Sequence, residues 1–449
     1  MDFVSLLQGI VGVGVLLGIA YLISNNKKAI NWKLVTVGIS MQVIFAIFVL
    51  KGTLLASYFS PLGWPKLLFE KISEGFVVIL GFTTEGAKFI FGNLAVGPGF
   101  TDSIGFFFAF QVLPTIIFFA AFMSVLYHLG VMQKVVQIVA WVIAKFLGTS
   151  GAETLSVSAN IFVGQTEAPL VIKPYIKGMT QSELLAVMIG GMATIVGGVM
   201  AAYVQMLGFS FSQANGIPIT EAQVQFAGQL LGASIMAAPA ALIIAKIIYP
   251  ETGIPQTRGN VKVPVEKTSS NVIEAAAAGA GEGLTLALNV AAMLLAFIAL
   301  IALTNFLFGW IGDLTGLNAI LMEHFKSPLK LELILGLILQ FLAMAIGVPY
   351  ADALQFGSLI GTKVVLNEFV AYLNLADLVK AHAIELKTIT MATFALCGFA
   401  NISSIAIQIG GIGPLAPERR GDLAKLGIRA VIGGSLATLM TATIAGVLM

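Results

Sequence analysis

Gly164-Gln165-Thr166-Glu167-Ala168-Pro169-Leu170 lies inside an apolar region running from Leu155 to Tyr175. It sets an amide, a hydroxyl and a carboxylate in a row, between a glycine and a proline. A helix crossing lipid tolerates such a cluster poorly, because a carboxylate at the bilayer centre costs roughly 2.5–3.5 kcal/mol even on insertion scales. Irregular backbone at that depth survives only where protein or a water-filled cavity surrounds it. The stretch therefore reads as the tip of a hairpin that dips into the membrane, meets a pocket and turns back.

The rest of the chain supports a membrane setting. Of 449 residues, 58% are hydrophobic and 10% charged, against about 25% charged in soluble domains, and the mean hydropathy is +0.97. This excludes a soluble enzyme and makes the lipid bilayer the first partner. The length allows roughly eight to twelve crossings. A net charge of +2 without a basic run argues against nucleic acid as a partner. The single cysteine, Cys397, excludes an intrachain disulfide and a CxxC metal site, and His128, His324 and His382 are too scattered for zinc. No cofactor is expected. An intramembrane hydrolase is disfavoured because GxSxG and HExxH are absent.

The segment 3–23 is long enough to span, and Asp2 stands where a cleaved signal would be basic, so it reads as the first transmembrane helix. A second span covers 34–50. Residues 51–92, with Pro61, Pro65, Lys66, Glu70, Lys71 and Glu74, read as shorter interfacial segments. A third span, 105–129, is interrupted at Pro114, and 131–148 reads as interfacial. The hairpin occupies 154–178. The fourth span, 184–206, is broken at Gly197-Gly198, and the fifth is 223–249. A polar linker, 250–271, carries Arg258, Lys262, Pro264 and Lys267. An amphipathic start, 272–282, leads into the sixth span, 284–308.

The order then repeats. An interfacial segment, 329–347, precedes a second hairpin, 351–379, with Asn367-Glu368-Phe369 at its tip. The seventh span, 388–410, is broken at Gly398-Phe399-Ala400-Asn401, and the eighth is 428–449. Gly148 precedes Glu167 by 19 residues and Gly347 precedes Glu368 by 21. The fold class is thus an all-α polytopic membrane protein with about eight transmembrane helices, two re-entrant hairpins in an inverted repeat, and interfacial helices. Such repeats, with discontinuous helices meeting at the midplane, mark secondary transporters. Basic residues cluster after the first, third, fifth and seventh spans, which makes those loops cytoplasmic and both termini external; Lys51 and Lys66 dissent.

Tips of this kind expose backbone and polar side chains to a solute. Glu167 and Glu368 are expected to face one wet cavity halfway through the bilayer and to accept hydrogen bonds from solute hydroxyls. Gln165 offers both a donor and an acceptor. Asn401 and Ser404, three residues apart, share one face of the seventh span, with Phe399 beside them. Purely structural roles stand beside these: Glu167 paired with Lys173 or Lys177, Glu368 paired with Lys363, and Ser404 bonded to its own helix. Asn160, the carbonyl of Val163, the hydroxyl of Thr194 and the carbonyl of Ile195 form a candidate cation set, since unwound carbonyls and oxygen side chains suit a hard ion.

Together Gly164–Leu170, Leu366-Asn367-Glu368-Phe369-Val370-Ala371-Tyr372 and Cys397-Gly398-Phe399-Ala400-Asn401-Ile402-Ser403-Ser404 resemble the concentrative nucleoside transporter family, over about Phe106 to the end. The resemblance implies a homotrimer of the inner (cytoplasmic) membrane that imports nucleosides with sodium as the coupling ion. It implies that Gln165, Thr166, Glu167 and Val199 contact the base, with Phe399 alongside, while Glu368, Asn401 and Ser404 hold the ribose. It implies sodium at Asn160, Val163, Thr194 and Ile195. It also implies a division into scaffold (1–104, 105–130 and 251–328) and mobile transport repeats (131–250 and 329–449). Some relatives use protons, with serine in place of Thr166, and an ion channel lined by the two tips is a further alternative.

Overall fold

The computed structural model describes residues 3–97, 102–257 and 269–449, and every regular element among them is helical. The first spans are α1 (Phe3–Leu22) and α2 (Trp32–Leu50), the latter capped by Asn31, whose side chain accepts from the Leu34 amide. Next come α3 (Gly52–Tyr58), α4 (Trp64–Phe91), α5 (Phe108–Gln111) and α6 (Leu113–His128). Then α7 (Val131–Leu147) precedes the first hairpin, whose arms are α8 (Gly151–Ala159) and α9 (Lys173–Ile176). The first broken span is α10 (Gln181–Ala193) with α11 (Gly197–Asn215), followed by α12 (Ile219–Ile248). After the linker come α13 (Val272–Leu314), α14 (Leu317–Phe325) and α15 (Leu331–Ala345). The second hairpin is α16 (Ala353–Val365) with α17 (Glu368–Lys380), the second broken span is α18 (Leu386–Leu396) with α19 (Ile402–Ile412), and α20 (Arg420–Leu448) closes the chain. The linker residues Arg258, Lys262, Pro264 and Lys267 lie outside the described residues.

Two sequence expectations are corrected. The mixed segments of 51–92 include one unbroken helix of 28 residues, α4. Pro65 falls in its first turn, where no intrahelical N–H is lost, so it starts the helix instead of breaking it. The amphipathic start and sixth span are likewise one helix, α13, of 43 residues. That is about 64 Å of helix against a hydrocarbon core of about 30 Å, so α13 must tilt or extend beyond it. Its Gly279 and Gly283 face α6 one turn apart. A Cβ there would lie 2.7 Å from the Ala120 carbonyl oxygen and 2.7 Å from Ile117 Cα respectively. The two backbones can approach this closely only over small residues.

By length and composition α4 is among the eight helices of the described residues able to cross a membrane, yet it does not carry the chain across. Early in α4, Phe69 meets Phe45 near the end of α2 and lies against Gly232 in the first half of α12. At its other end Phe91 meets Phe110 at the start of the third span, and Phe106 stacks on Phe209 near the end of α11. Gly38 near the start of α2 lies on Ile243 near the end of α12, so these two helices are antiparallel and the end of α2, the start of α12, the end of α11 and the start of α6 lie towards one end of the bundle. The eighth crossing is the broken pair α18–α19, two pieces too short to qualify singly. It runs antiparallel along α20, with Gly427 on Ile405, Gly434 on Ala400 and Gly446 on Met391.

Both hairpins have fastened bases. At the first, the Gly151 amide donates to the Thr257 carbonyl at 2.9 Å. Ser150 and Thr180 each form a capping box, with Glu153 and Glu183. Lys246 of α12 is buried between them, 2.7 Å from Glu153, 2.9 Å from Ser182 Oγ and 3.3 Å from Glu251. At the second, the Glu385 amide donates to Asp352 at 2.9 Å, closing α17 back onto the start of α16. With both ends of each hairpin on one side, the tips stop inside the protein.

Candidate functional site

The two broken spans cross at their breaks. Gly398 has φ +151°, and a Cβ on it would lie 2.7 Å from the Met192 carbonyl oxygen and 2.8 Å from the Ala193 carbonyl carbon. Only glycine lets the α18–α19 break sit on the α10–α11 break this closely. Beyond the break Asn401 caps α19: its Oδ1 accepts from the Ser404 amide at 2.9 Å and from Ser403 Oγ at 2.7 Å. That leaves its Nδ2 to donate to Glu368 Oε2 at 3.1 Å.

Glu368 opens α17, after Asn367 has capped that helix through the Val370 amide. Its other oxygen, Oε1, accepts from the Tyr203 hydroxyl of α11 at 3.1 Å. The side chain is buried, and among the described residues no ion pair is made to it. Lys363, the structural partner weighed above, instead donates to the Ala395 carbonyl at 2.8 Å and to Thr438 Oγ1 at 3.1 Å. A carboxylate has about four acceptor positions. Two are taken here, and the others are free for hydroxyl donors.

The first tip reaches the same helix from the other side. Gln165, buried, donates from Nε2 to Ser404 Oγ at 3.2 Å and accepts at Oε1 from Gln408 at 3.1 Å. Thr166 packs on Gly411 and donates to Glu167 Oε1 at 2.9 Å. Glu167 is exposed and forms no ion pair with Lys173 or Lys177; Lys177 pairs with Glu418 instead. The first tip and the second thus converge through Gln165, Ser404, Asn401 and Glu368. The two glutamates themselves do not meet. Glu368 sits at Asn401 and Thr166 at Gly411, ten residues on, or about 15 Å of helix. Phe399 is half-buried in the break, and Val199 is buried in the first turn of α11.

The candidate cation residues lie on touching segments, since the Gly197 amide reaches the Phe162 carbonyl at 3.5 Å. Asn160 donates from Nδ2 to the Ser156 carbonyl at 3.1 Å, and its buried Oδ1 has no partner among the described residues. Thr194 donates to the Gly190 carbonyl at 2.9 Å, which leaves its oxygen able to accept. Among the described residues the Val163 and Ile195 carbonyls take no backbone hydrogen bond. An orphaned buried oxygen beside unwound carbonyls fits a hard monovalent cation.

Three contributors escaped sequence reasoning. Tyr203 and Gln408 sit in apolar helices with no local signal, and the Lys246 cluster joins residues distant in sequence.

This geometry can be set beside known proteins. The chain matches the family models for the N-terminus and C-terminus of the Na+ dependent nucleoside transporter over residues 11–94 and 229–446, and the nucleoside recognition model over 109–210. It is 45% identical to an uncharacterized transporter of Haemophilus influenzae, covering 98% of this chain and 97% of that one. It is 41% identical to the nucleoside permease NupC of Helicobacter pylori, over 98% and 97%. To the sodium/nucleoside cotransporter 1 of Rattus norvegicus it is 36% identical, over 97% of this chain but 63% of that longer protein. Among solved structures, CNTnw in an inward-facing substrate-bound state superposes with a TM-score of 0.84 at 41% identity, over 100% and 98% of the two chains. A doubly substituted CNTnw in an outward-facing state gives 0.85 at 42%, over the same shares. These relatives are transporters, not enzymes. The chain is a multi-pass membrane protein and belongs to the concentrative nucleoside transporter family, as a bacterial member.

Proposed function

We propose that the protein is a sodium-coupled nucleoside importer that works by alternating access. The observation that carries this is the convergence of both re-entrant tips on α19, with a buried carboxylate at its start and a buried carboxamide one to two turns on. Glu368, Asn401 and Ser404 are suited to ribose hydroxyls, and Gln165, Thr166, Glu167 and Val199 to the base, with Phe399 at its edge. Sodium is the second cargo, held by Asn160, Thr194 and the carbonyls of Val163 and Ile195. The unpaired Asn160 Oδ1 supports that assignment. So does the name of the rat relative, a sodium/nucleoside cotransporter.

In this reading residues 1–104, 105–130 and 251–328 form a scaffold that holds a homotrimer in the inner membrane, with both termini outside. Residues 131–250 and 329–449 move between its faces. CNTnw is known in inward-facing, outward-facing and intermediate states, which supports such motion for this chain. Bound sodium would order the first tip, so that a fully loaded domain crosses more readily than a half-loaded one. Radiolabelled uridine uptake into proteoliposomes tests the reading. Uptake should follow an inward sodium gradient. Uptake that ignores sodium and follows a pH gradient would assign coupling to the proton. Current that persists without nucleoside and exceeds carrier turnover would make the protein a channel.

A further inference from the structure

We infer that Gln408 sets the substrate preference by locking the direction in which Gln165 presents its carboxamide, so that the site favours a uracil-type base over a cytosine-type base. The inference rests on the binding site proposed above. A carboxamide can face either way, and here the direction is imposed from outside the pocket. Gln408 is fully buried on α19. Its Nε2 donates to the Met188 carbonyl at 2.9 Å and to Gln165 Oε1 at 3.1 Å. A backbone carbonyl can only accept, so the Gln408 atom facing Met188 must be the nitrogen. The Gln165 atom facing that nitrogen must then be the oxygen. Gln165 Nε2 is left to point at Ser404 Oγ, at 3.2 Å.

The arrangement is built closely. Gly191 forms its floor, and a Cβ there would lie 2.9 Å from Gln165 Cβ and 2.9 Å from Gln408 Nε2. It is also retained at a cost, since Gln408 Oε1 is buried without a partner among the described residues, a loss that a leucine at this place would avoid.

The consequence is an ordered pair along α19. The donor lies beside Ser404, next to Asn401 and Glu368, and the acceptor lies one turn farther, beside Gln408. With ribose at Glu368 and Asn401, a pyrimidine extends outward and presents first its C2 carbonyl and then position 3. Uracil offers an acceptor and then an N–H, which matches a donor followed by an acceptor. Cytosine offers an acceptor and then a bare nitrogen, which sets two lone pairs against each other.

The test is competition against labelled uridine by uridine, cytidine and the 4-unsubstituted pyrimidin-2-one riboside, in proteoliposomes of the wild type and of Gln408→Met. The wild type should favour uridine over both competitors by on the order of ten-fold, about the worth of one matched polar contact. The Met variant keeps the volume but frees Gln165 to turn, so the preference should shrink to near unity, read as the ratio of the KM values for the three nucleosides. A merely structural role would lower uptake of all three alike. An unchanged preference in the variant overturns the inference. Should the variant fail to assemble, the wild-type comparison alone decides, because equal affinity for uridine and the pyrimidin-2-one riboside also overturns it. Absence of any nucleoside uptake by the wild type would instead remove the binding site on which the inference stands.

Discussion

Replacing Glu368 with glutamine keeps the shape of the side chain and removes its charge. In the native protein Oε1 accepts from Tyr203 at 3.1 Å and Oε2 from Asn401 at 3.1 Å, which leaves one acceptor position on each oxygen for a ribose hydroxyl. Hydrogen bonds to a charged acceptor are worth roughly 1.5–3 kcal/mol, against roughly 0.5–1.5 for neutral pairs. The substitution therefore removes about 1–1.5 kcal/mol per hydroxyl, or about 2–3 kcal/mol for two. That corresponds to roughly a 30- to 150-fold rise in Kd. Tyr203 can turn its hydroxyl to suit the new amide, so the fold should persist, and thermal unfolding of the purified protein checks this. Calorimetric titration of uridine at saturating sodium gives the Kd. The same titration with 2′,3′-dideoxyuridine completes a double-mutant cycle: this ligand should bind both proteins about equally weakly. A Glu368→Gln protein within about three-fold of wild type for uridine would refute the assignment of the ribose to this carboxylate. So would an equal loss for the dideoxy compound.

Further expectations follow from the same contacts. Tyr203→Phe deletes the donor to Glu368 Oε1 and leaves a buried acceptor unpaired, so it should destabilise the unliganded protein by about 1–3 kcal/mol, measured by thermal unfolding. Gly398→Ala combines φ +151° with a Cβ 2.7 Å from the Met192 carbonyl oxygen. It should destabilise the protein by about 2–6 kcal/mol from backbone strain and overpacking, seen as a lowered Tm in detergent. Lys246→Met strands Glu153 in a buried site and should cost about 3–5 kcal/mol, most of it recovered when Glu153→Gln is added, by thermal unfolding of the three variants. Asn160→Ala removes an unpaired oxygen from the candidate cation set. The sodium concentration for half-maximal uridine binding should rise, while binding at saturating sodium recovers.

Much of the candidate site was legible because polarity is conspicuous in lipid. Gln165, Thr166 and Glu167 stand out in an apolar stretch, and a carboxylate at Glu368 needs a partner or a cavity wherever it sits. The breaks were legible through Gly197, Gly198 and Gly398, since glycine weakens a helix. The course of α4 was hidden because Pro65 reads as a breaker unless its place in the first turn is known, and because charges such as Glu70 and Lys71 interrupt its hydropathy. Depth was also hidden. Sequence places both glutamates on hairpin tips, but only the packing of each tip along α19 separates exposed Glu167 from buried Glu368. Gln408 and Tyr203 were invisible for a related reason. Each looks like an incidental polar residue on an apolar helix until its partner, more than 160 residues away, is in place.

The most direct measurement is an experimental density map of the protein with uridine and sodium bound. The account predicts the ribose hydroxyls against Glu368 and Asn401, the base edge against Gln165, and an ion beside Asn160 Oδ1. Uridine bound away from α19, or bound with Glu368 still closed off between Tyr203 and Asn401 alone, would contradict it.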